Sequence, residues 1–210
     1  MIYFTISLIF SIFAAKKQYM ERFIMQDLIA WKNREDRKPL ILLGARQVGK
    51  TYILKEFGQR EFENVAYINC DNNAMAKDLF ASDYNIDRIL LTIGAITGVN
   101  IEAGKTLIIM DEIQELYRGL ASLKYFCENA REYHVAVAGS LLGLSLHQGE
   151  SYPVGKVNTL EMYPMTFEEF LWARGFKQRM DLLILDEVAK VNCVKLLWCN
   201  LTQFFYIPNS

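Results

Sequence analysis

Eight residues constrain this chain more than any others. Gly44-Ala45-Arg46-Gln47-Val48-Gly49-Lys50-Thr51 has the spacing of a phosphate-binding P-loop, two glycines with four residues between them followed by Lys and Thr. The pattern carries meaning only between a buried strand and a helix. Leu40 to Leu43 form a short apolar run bounded by Pro39 and Gly44, which suits a strand buried on both faces. Thr51 to Arg60 reads as the helix that follows. In such a loop, glycines let successive backbone N–H groups turn onto phosphate oxygens, and the helix N-terminus adds the positive end of its dipole. Lys50 then supplies a point charge to the β and γ phosphates of ATP, and the Thr51 hydroxyl ligates Mg²⁺. The competing reading of the same residues is a glycine-rich turn that holds no nucleotide.

The strand-helix alternation extends in both directions. Met20 to Trp31 has a helical apolar face at Phe23, Ile24, Leu28 and Trp31, closed by the polar run Lys32 to Arg37. Downstream, the patterning predicts strands over Val65–Asn69, Thr106–Met110 and His134–Ala138, with helices over Ile86–Ile96 and Leu116–Ala130. Val157–Tyr163 reads as a further strand, and Thr166 as the cap of a helix over Phe167–Ala173. Alternation of this kind predicts an α/β, three-layer P-loop NTPase fold with a central, mainly parallel sheet. Beyond Gly175 the pattern changes to a helical tail with Ile184, Val188, Val191, Trp198 and Leu201 on one face, a stripe that something must cover.

The second half of a nucleotide site stands at the end of the Thr106–Met110 strand, where Asp111 and Glu112 follow directly. Asp111 is placed to hold the metal through water, and Glu112 to polarise an attacking water as general base. A strand that ends in acids is common; its coupling to the upstream P-loop gives it weight. Ser140, after the His134–Ala138 strand, is the candidate sensor of the γ-phosphate, with a turn-capping serine as its other reading. Gln114 could help to orient the water or could simply open a surface helix. Arg46, Arg118 and Arg131 are unranked candidates for an arginine finger.

Composition narrows the alternatives. A chain of 210 residues, 52% hydrophobic and 22% charged, can bury one core, and a net charge of −1 gives no global field toward nucleic acid or an anionic membrane. No basic aromatic stripe marks a nucleic-acid surface. Cys70, Cys127, Cys193 and Cys199 lack zinc-site spacing and fit reduced thiols in a cytoplasmic protein. Ile2 to Ala15 is apolar but shorter than the roughly 20 residues a bilayer span requires, and its positive charge follows it. A membrane role is therefore disfavoured, attachment through residues 2–15 being the minor alternative. A P-loop kinase would call for an arginine-rich lid, and a GTPase for an Asn-Lys-x-Asp motif; the sequence has neither.

Several of these segments, taken in order, resemble the prokaryotic AAA-like ATPases of the AAA_14 type, which often carry a C-terminal DUF4143 domain. They are Lys38 to Thr51, Asp111-Glu112-Ile113-Gln114, Ala138-Gly139-Ser140 and Tyr163-Pro164-Met165-Thr166-Phe167-Glu168-Glu169-Phe170-Leu171. The resemblance implies an ASCE-type core that binds ATP with Mg²⁺ and hydrolyses it, and it places Lys156, within Pro153-Val154-Gly155-Lys156, as a charge near phosphate. It also implies the division expected here: an apolar extension over 1–19, an AAA-like domain over 20–175, and a tail over 176–210 left from a missing C-terminal domain. A homo-oligomer or another protein partner would cover that tail. A non-hydrolysing ATP-binding module is the alternative to the ATPase.

Overall fold

Along four of the five predicted strands nearly every side chain is apolar, Val157–Tyr163 with Asn158, Thr159 and Glu161 being the exception, so the sheet they form has to be covered on both faces. The computed structural model, which describes residues 21–71, 73–139 and 152–174, meets that demand. The described residues fall into two compact units: 22–165, and Glu21 with 166–174.

In the larger unit the order is α1 (Ile24–Lys32), β1 (Leu40–Gly44), α2 (Lys50–Glu61), β2 (Asn64–Asn69), α3 (Ala74–Lys77), α4 (Ile86–Thr97), β3 (Thr106–Asp111), a 3₁₀ turn (Ile113–Glu115), α5 (Gly119–Asn129), β4 (His134–Ala138) and β5 (Asn158–Met162). Among the described residues the strands form one sheet in the order β2-β3-β4-β1-β5, every pair parallel. Asp111 pairs with both Asn69 and Ala138, and Leu42 with Ala138, so the carboxyl ends of β1 to β4 lie along one edge. In open parallel sheets that edge is where ligands bind.

Alternate residues of each strand supply two separate cores. Ile41, Ile68, Ile108, Met110, Val135 and Val137 face α4 and α5, packing with Ile89, Ile93, Leu123 and Phe126. Leu40, Leu42, Leu107, Ile109, Ala136 and Ala138 face the other way, against Leu28 and Trp31 of α1 and Ile53, Leu54 and Phe57 of α2. The result is the three-layer α/β P-loop NTPase fold.

Strand limits fall within a residue or two of expectation, but two helix starts do not: the helix expected from Met20 begins at Ile24, with Phe23 before it and exposed, and the other late start is that of α5. It starts at Gly119 rather than Leu116, because Arg118 sits at φ 61° and interrupts the helical path. A Cβ at Gly119 would lie 2.9 Å from the Ile113 carbonyl oxygen and from Leu116 Cβ, so glycine permits the tight turn there. The four-residue α3, capped by the Asn73 side chain on the Met75 and Ala76 amides, is too short to leave a periodic signal. In the smaller unit α6 (Phe167–Ala173) has the cap expected of Thr166: its hydroxyl accepts from the Glu169 amide at 3.2 Å, and the Glu169 carboxylate accepts from the Thr166 amide at 2.8 Å. The apolar extension 1–19, Ser140 and the tail 176–210 lie outside the described residues. Among those described, no helix is long and apolar enough to cross a membrane.

His134, at the start of β4, is 6% exposed and packs edge-on against Phe62 and Trp31 at 4.8 and 6.0 Å. Its Nδ1 is buried with no partner among the described residues. Burial first, and then the neighbouring charges of Arg37 and Lys32, bring its pKa from 6.5 down to about 4; a backbone hydrogen bond with Lys32 opposes them. Above pH 6.5 this group leaves stability independent of pH. Between 6.5 and about 4 the unfolded imidazole binds a proton that the folded one refuses, so stability falls as pH falls, and below about 4 the loss levels off. The expected loss from pH 7 to 4.5 is on the order of 2 kcal/mol. Urea unfolding of wild type and His134→Phe across this range checks it, since the variant should lack that share of the slope.

Candidate functional site

The site is assembled at the carboxyl edge of the sheet. β1 ends at Gly44, where a Cβ would sit 2.4 Å from the Met162 carbonyl oxygen, so the chain passes β5 there only as glycine. Along the loop that follows, Gln47 at φ 65° and Gly49 at φ 97° turn the backbone through left-handed positions. Such turns aim successive amides into one concavity, the form of an anion-binding nest. Gly49 also precedes α2, and no side chain caps that helix, so its first amides and the positive end of its dipole open on the same place.

Lys50 is the first residue of α2 and is buried. Its ammonium donates to the Gly44 and Ala45 carbonyl oxygens at 2.9 and 2.7 Å. Burial lowers its pKa below the ordinary lysine value; Glu112 and Asp111 oppose that shift, and Arg46 adds to it. The next residue spans the site: the Thr51 hydroxyl donates to Asp111 Oδ2 at 2.6 Å, joining α2 to the end of β3. Asp111, 5% exposed, takes a second hydrogen bond on the same oxygen, from the Tyr67 hydroxyl of β2 at 3.2 Å. Burial and the adjacent carboxylate push the Tyr67 phenol up to about 12, so it remains a donor through the physiological range. The Lys55 ammonium lies 3.4 Å from the centre of the Tyr67 ring.

Glu112 leaves β3 at φ 53°, and its Oε2 accepts from Gln114 Nε2 at 2.5 Å. A non-glycine residue in this region stores strain of about 1–3 kcal/mol, a feature that clusters at functional sites. Gln114 Oε1 is buried with no partner among the described residues. Cys70, also buried, has its thiol pushed up to about 12, mainly by burial and then by Asp111 and Glu112, which makes it a poor nucleophile.

A cleft of about 590 Å³ collects these groups; Arg46, Gln47, Gly49, Lys50, Thr51, Asp111, Glu112 and Gln114 line it, together with Tyr52, Asp71 and Glu115. The loop residues and the two acids, some 60 positions apart in sequence, thus share one cavity. Gly44, Ala45 and Val48 shape the loop from outside the lining; Val48 packs against the core on the α2 side. Thr51 and Asp111 present hard oxygen donors side by side, and no cluster of three or more His, Cys, Asp or Glu could cage a metal among the described residues. That donor set fits Mg²⁺, which keeps waters and takes one or two protein oxygens along with phosphate oxygens.

Other candidates are placed elsewhere. Lys156 pairs with Glu128 at 2.9 Å and is not among the lining residues. Arg118 donates to the Tyr84 hydroxyl at 2.9 Å with its guanidinium 4.2 Å above that ring, and Arg131 donates to the Cys127 carbonyl oxygen at 2.7 Å. Of the three arginines, Arg46 lines the cleft. Two contributors escape a reading by motif. Tyr67 is one, since only strand register brings it to Asp111. Arg22 is the other: it donates to the Val48 and Tyr163 carbonyl oxygens at 3.2 and 2.8 Å and ties the loop to the end of β5.

Comparison with known proteins follows the same lines. The profile of a family described as an AAA domain, AAA_14, matches residues 36–171. No curated protein matches the chain. Among solved structures, one similar chain is the Aeropyrum pernix ORC1 protein in complex with DNA, at 14% identity and a TM-score of 0.43, covering 75% of this chain and 47% of that one. The chain therefore spans about half the length of that protein. A likeness this distant bears on no functional question.

Proposed function

The chain belongs to the AAA_14 family of AAA domains, and from that premise we propose that it is an Mg²⁺-dependent ATPase that couples nucleotide state to conformation or to association with a partner. The observation that carries the proposal is the 2.6 Å contact between Thr51 and Asp111 in a cleft that Lys50 and Glu112 also line. A phosphate loop, a cation corner and a second acid beside them are the parts that phosphoryl transfer to water needs.

In this reading the amides from Gly44 to Thr51 hold the β and γ phosphates, and Arg46 and Gln47 border them. Lys50 exchanges the Gly44 and Ala45 carbonyls for phosphate oxygens, a small swing of one side chain. Thr51 and Asp111 would hold the cation between them. When bound, Mg²⁺ neutralises charge that develops on the phosphate oxygens. Glu112 releases the Gln114 amide and accepts a proton from water as that water's oxygen bonds to the γ-phosphorus and the bond to the ADP oxygen breaks; ATP and water thereby give ADP and phosphate. Ser140 is assigned as sensor of the γ-phosphate. The residues over 20–175 form the ATPase region, and a second copy or another protein is the partner whose association follows nucleotide state.

The test is phosphate release from ATP with MgCl₂ or with EDTA, beside equilibrium binding of a fluorescent ATP analogue. Release that requires both Mg²⁺ and ATP is expected. Tight binding with no release under any condition would instead make the chain a nucleotide-dependent interaction module.

A further inference from the structure

We propose that Tyr67 is a positioning residue for the cation corner of this cleft, its phenol holding the Asp111 carboxylate in the one orientation that leaves oxygens of Asp111 and Thr51 open to a divalent cation. The proposal rests on the reading of Thr51 and Asp111 given above.

A carboxylate at the end of a strand turns easily, because the torsion at its sp² carbon has broad, two-fold wells. Asp111 is denied that freedom. Its Oδ2 accepts from two elements at once, from Thr51 of α2 at 2.6 Å and from Tyr67 of β2 at 3.2 Å. Among the described residues no hydrogen bond reaches Oδ1. Thr51 has a single hydroxyl proton, and directing it at Oδ2 leaves both lone pairs of its oxygen for other partners. Each donor thus adds to a corner where two oxygens, one from each residue, remain available as acceptors.

Tyr67 reaches this position through the sheet. Asn69 is the residue paired with Asp111, and Tyr67 pairs with Ile109, two residues earlier. Two residues of strand advance about 6.6 Å, a span that the length of a tyrosine side chain covers as it leans along the strand. A phenylalanine would fill the same space and keep the Lys55 ammonium over its ring, yet it would give Asp111 no donor. Packing alone therefore leaves the hydroxyl unexplained, whereas orientation of Asp111 accounts for it. Groups that orient metal-site ligands from outside typically change metal affinity about tenfold or more when removed.

The experiment titrates MgCl₂ into the full chain with a fluorescent ATP analogue at fixed concentration, for wild type, Tyr67→Phe and Asp111→Asn, and repeats analogue binding in EDTA. Tyr67→Phe is expected to raise the half-saturating Mg²⁺ concentration about tenfold while leaving affinity in EDTA and the melting temperature close to wild type. An unchanged Mg²⁺ requirement in Tyr67→Phe, where Asp111→Asn raises it, would overturn the role of Tyr67 and leave the cation site standing. Equal weakening with Mg²⁺ and with EDTA would overturn it too, by making Tyr67 a general support of the fold. If Asp111→Asn also leaves the requirement unmoved, the cation corner itself falls and the proposal with it.

Discussion

Glu112→Gln is expected to lower ATP turnover by about 10² to 10⁴, the usual worth of a positioned general base, and to leave nucleotide affinity nearly unchanged. The amide has the shape of the carboxylate but cannot take the proton from water. Its carbonyl oxygen can still accept from Gln114 Nε2, the partner that Glu112 has at 2.5 Å, and glutamine is no worse than glutamate at φ 53°. Neither the local backbone nor the stability of the protein should therefore move. The loss amounts to about 3–5 kcal/mol in the barrier, which separates it from effects of packing. Single-turnover phosphate release together with analogue binding measures both quantities. Turnover within a few-fold of wild type would remove Glu112 from the role of base, and a parallel loss of binding would assign it to holding nucleotide.

Lys50→Ala should act on the other quantity. Its ammonium, at the head of α2, donates to two of the loop's own carbonyls, at 2.9 and 2.7 Å. In a buried setting, with its pKa already lowered by desolvation, a lysine gains most from an anionic partner. A charge-assisted hydrogen bond of this kind contributes about 1.5–3 kcal/mol, so ATP affinity is expected to fall roughly 10- to 100-fold and turnover at subsaturating ATP with it. Lys50→Arg should not restore it, because a planar fork does not replace a compact ammonium between two backbone carbonyls. Fluorescence titration of the three proteins decides the matter. Affinity in Lys50→Ala equal to wild type would show that the loop amides alone hold the ligand.

Much of this was legible in the order of residues. The run Leu40 to Thr51 specifies strand, turn and helix within a dozen positions, because each of its signals is local: apolar side chains for a strand buried on both faces, glycine where φ is positive, an uncapped helix start. Thr166 announced its helix for the same reason, and the capping box that Glu169 completes in the structure lies within four residues. The acids after β3 were visible as the end of an apolar run.

What the sequence left open is whatever depends on which strand lies beside which. Alternation tells which face a residue takes, but it is silent on neighbours, and the order β2-β3-β4-β1-β5 follows from helices packing both faces at once. That order brings Thr51 to Asp111 and Tyr67 to the same oxygen, and it draws Arg118 to Tyr84 and Lys156 to Glu128 rather than to the cleft. It also buries His134 among Trp31 and Phe62, and no local pattern foretells the resulting pKa. The sequence by itself determined the elements and the chemistry each carries, since backbone sterics and caps act over a few residues. Only the tertiary structure decided which of those groups meet, because contact across a sheet is set by long-range packing of apolar faces.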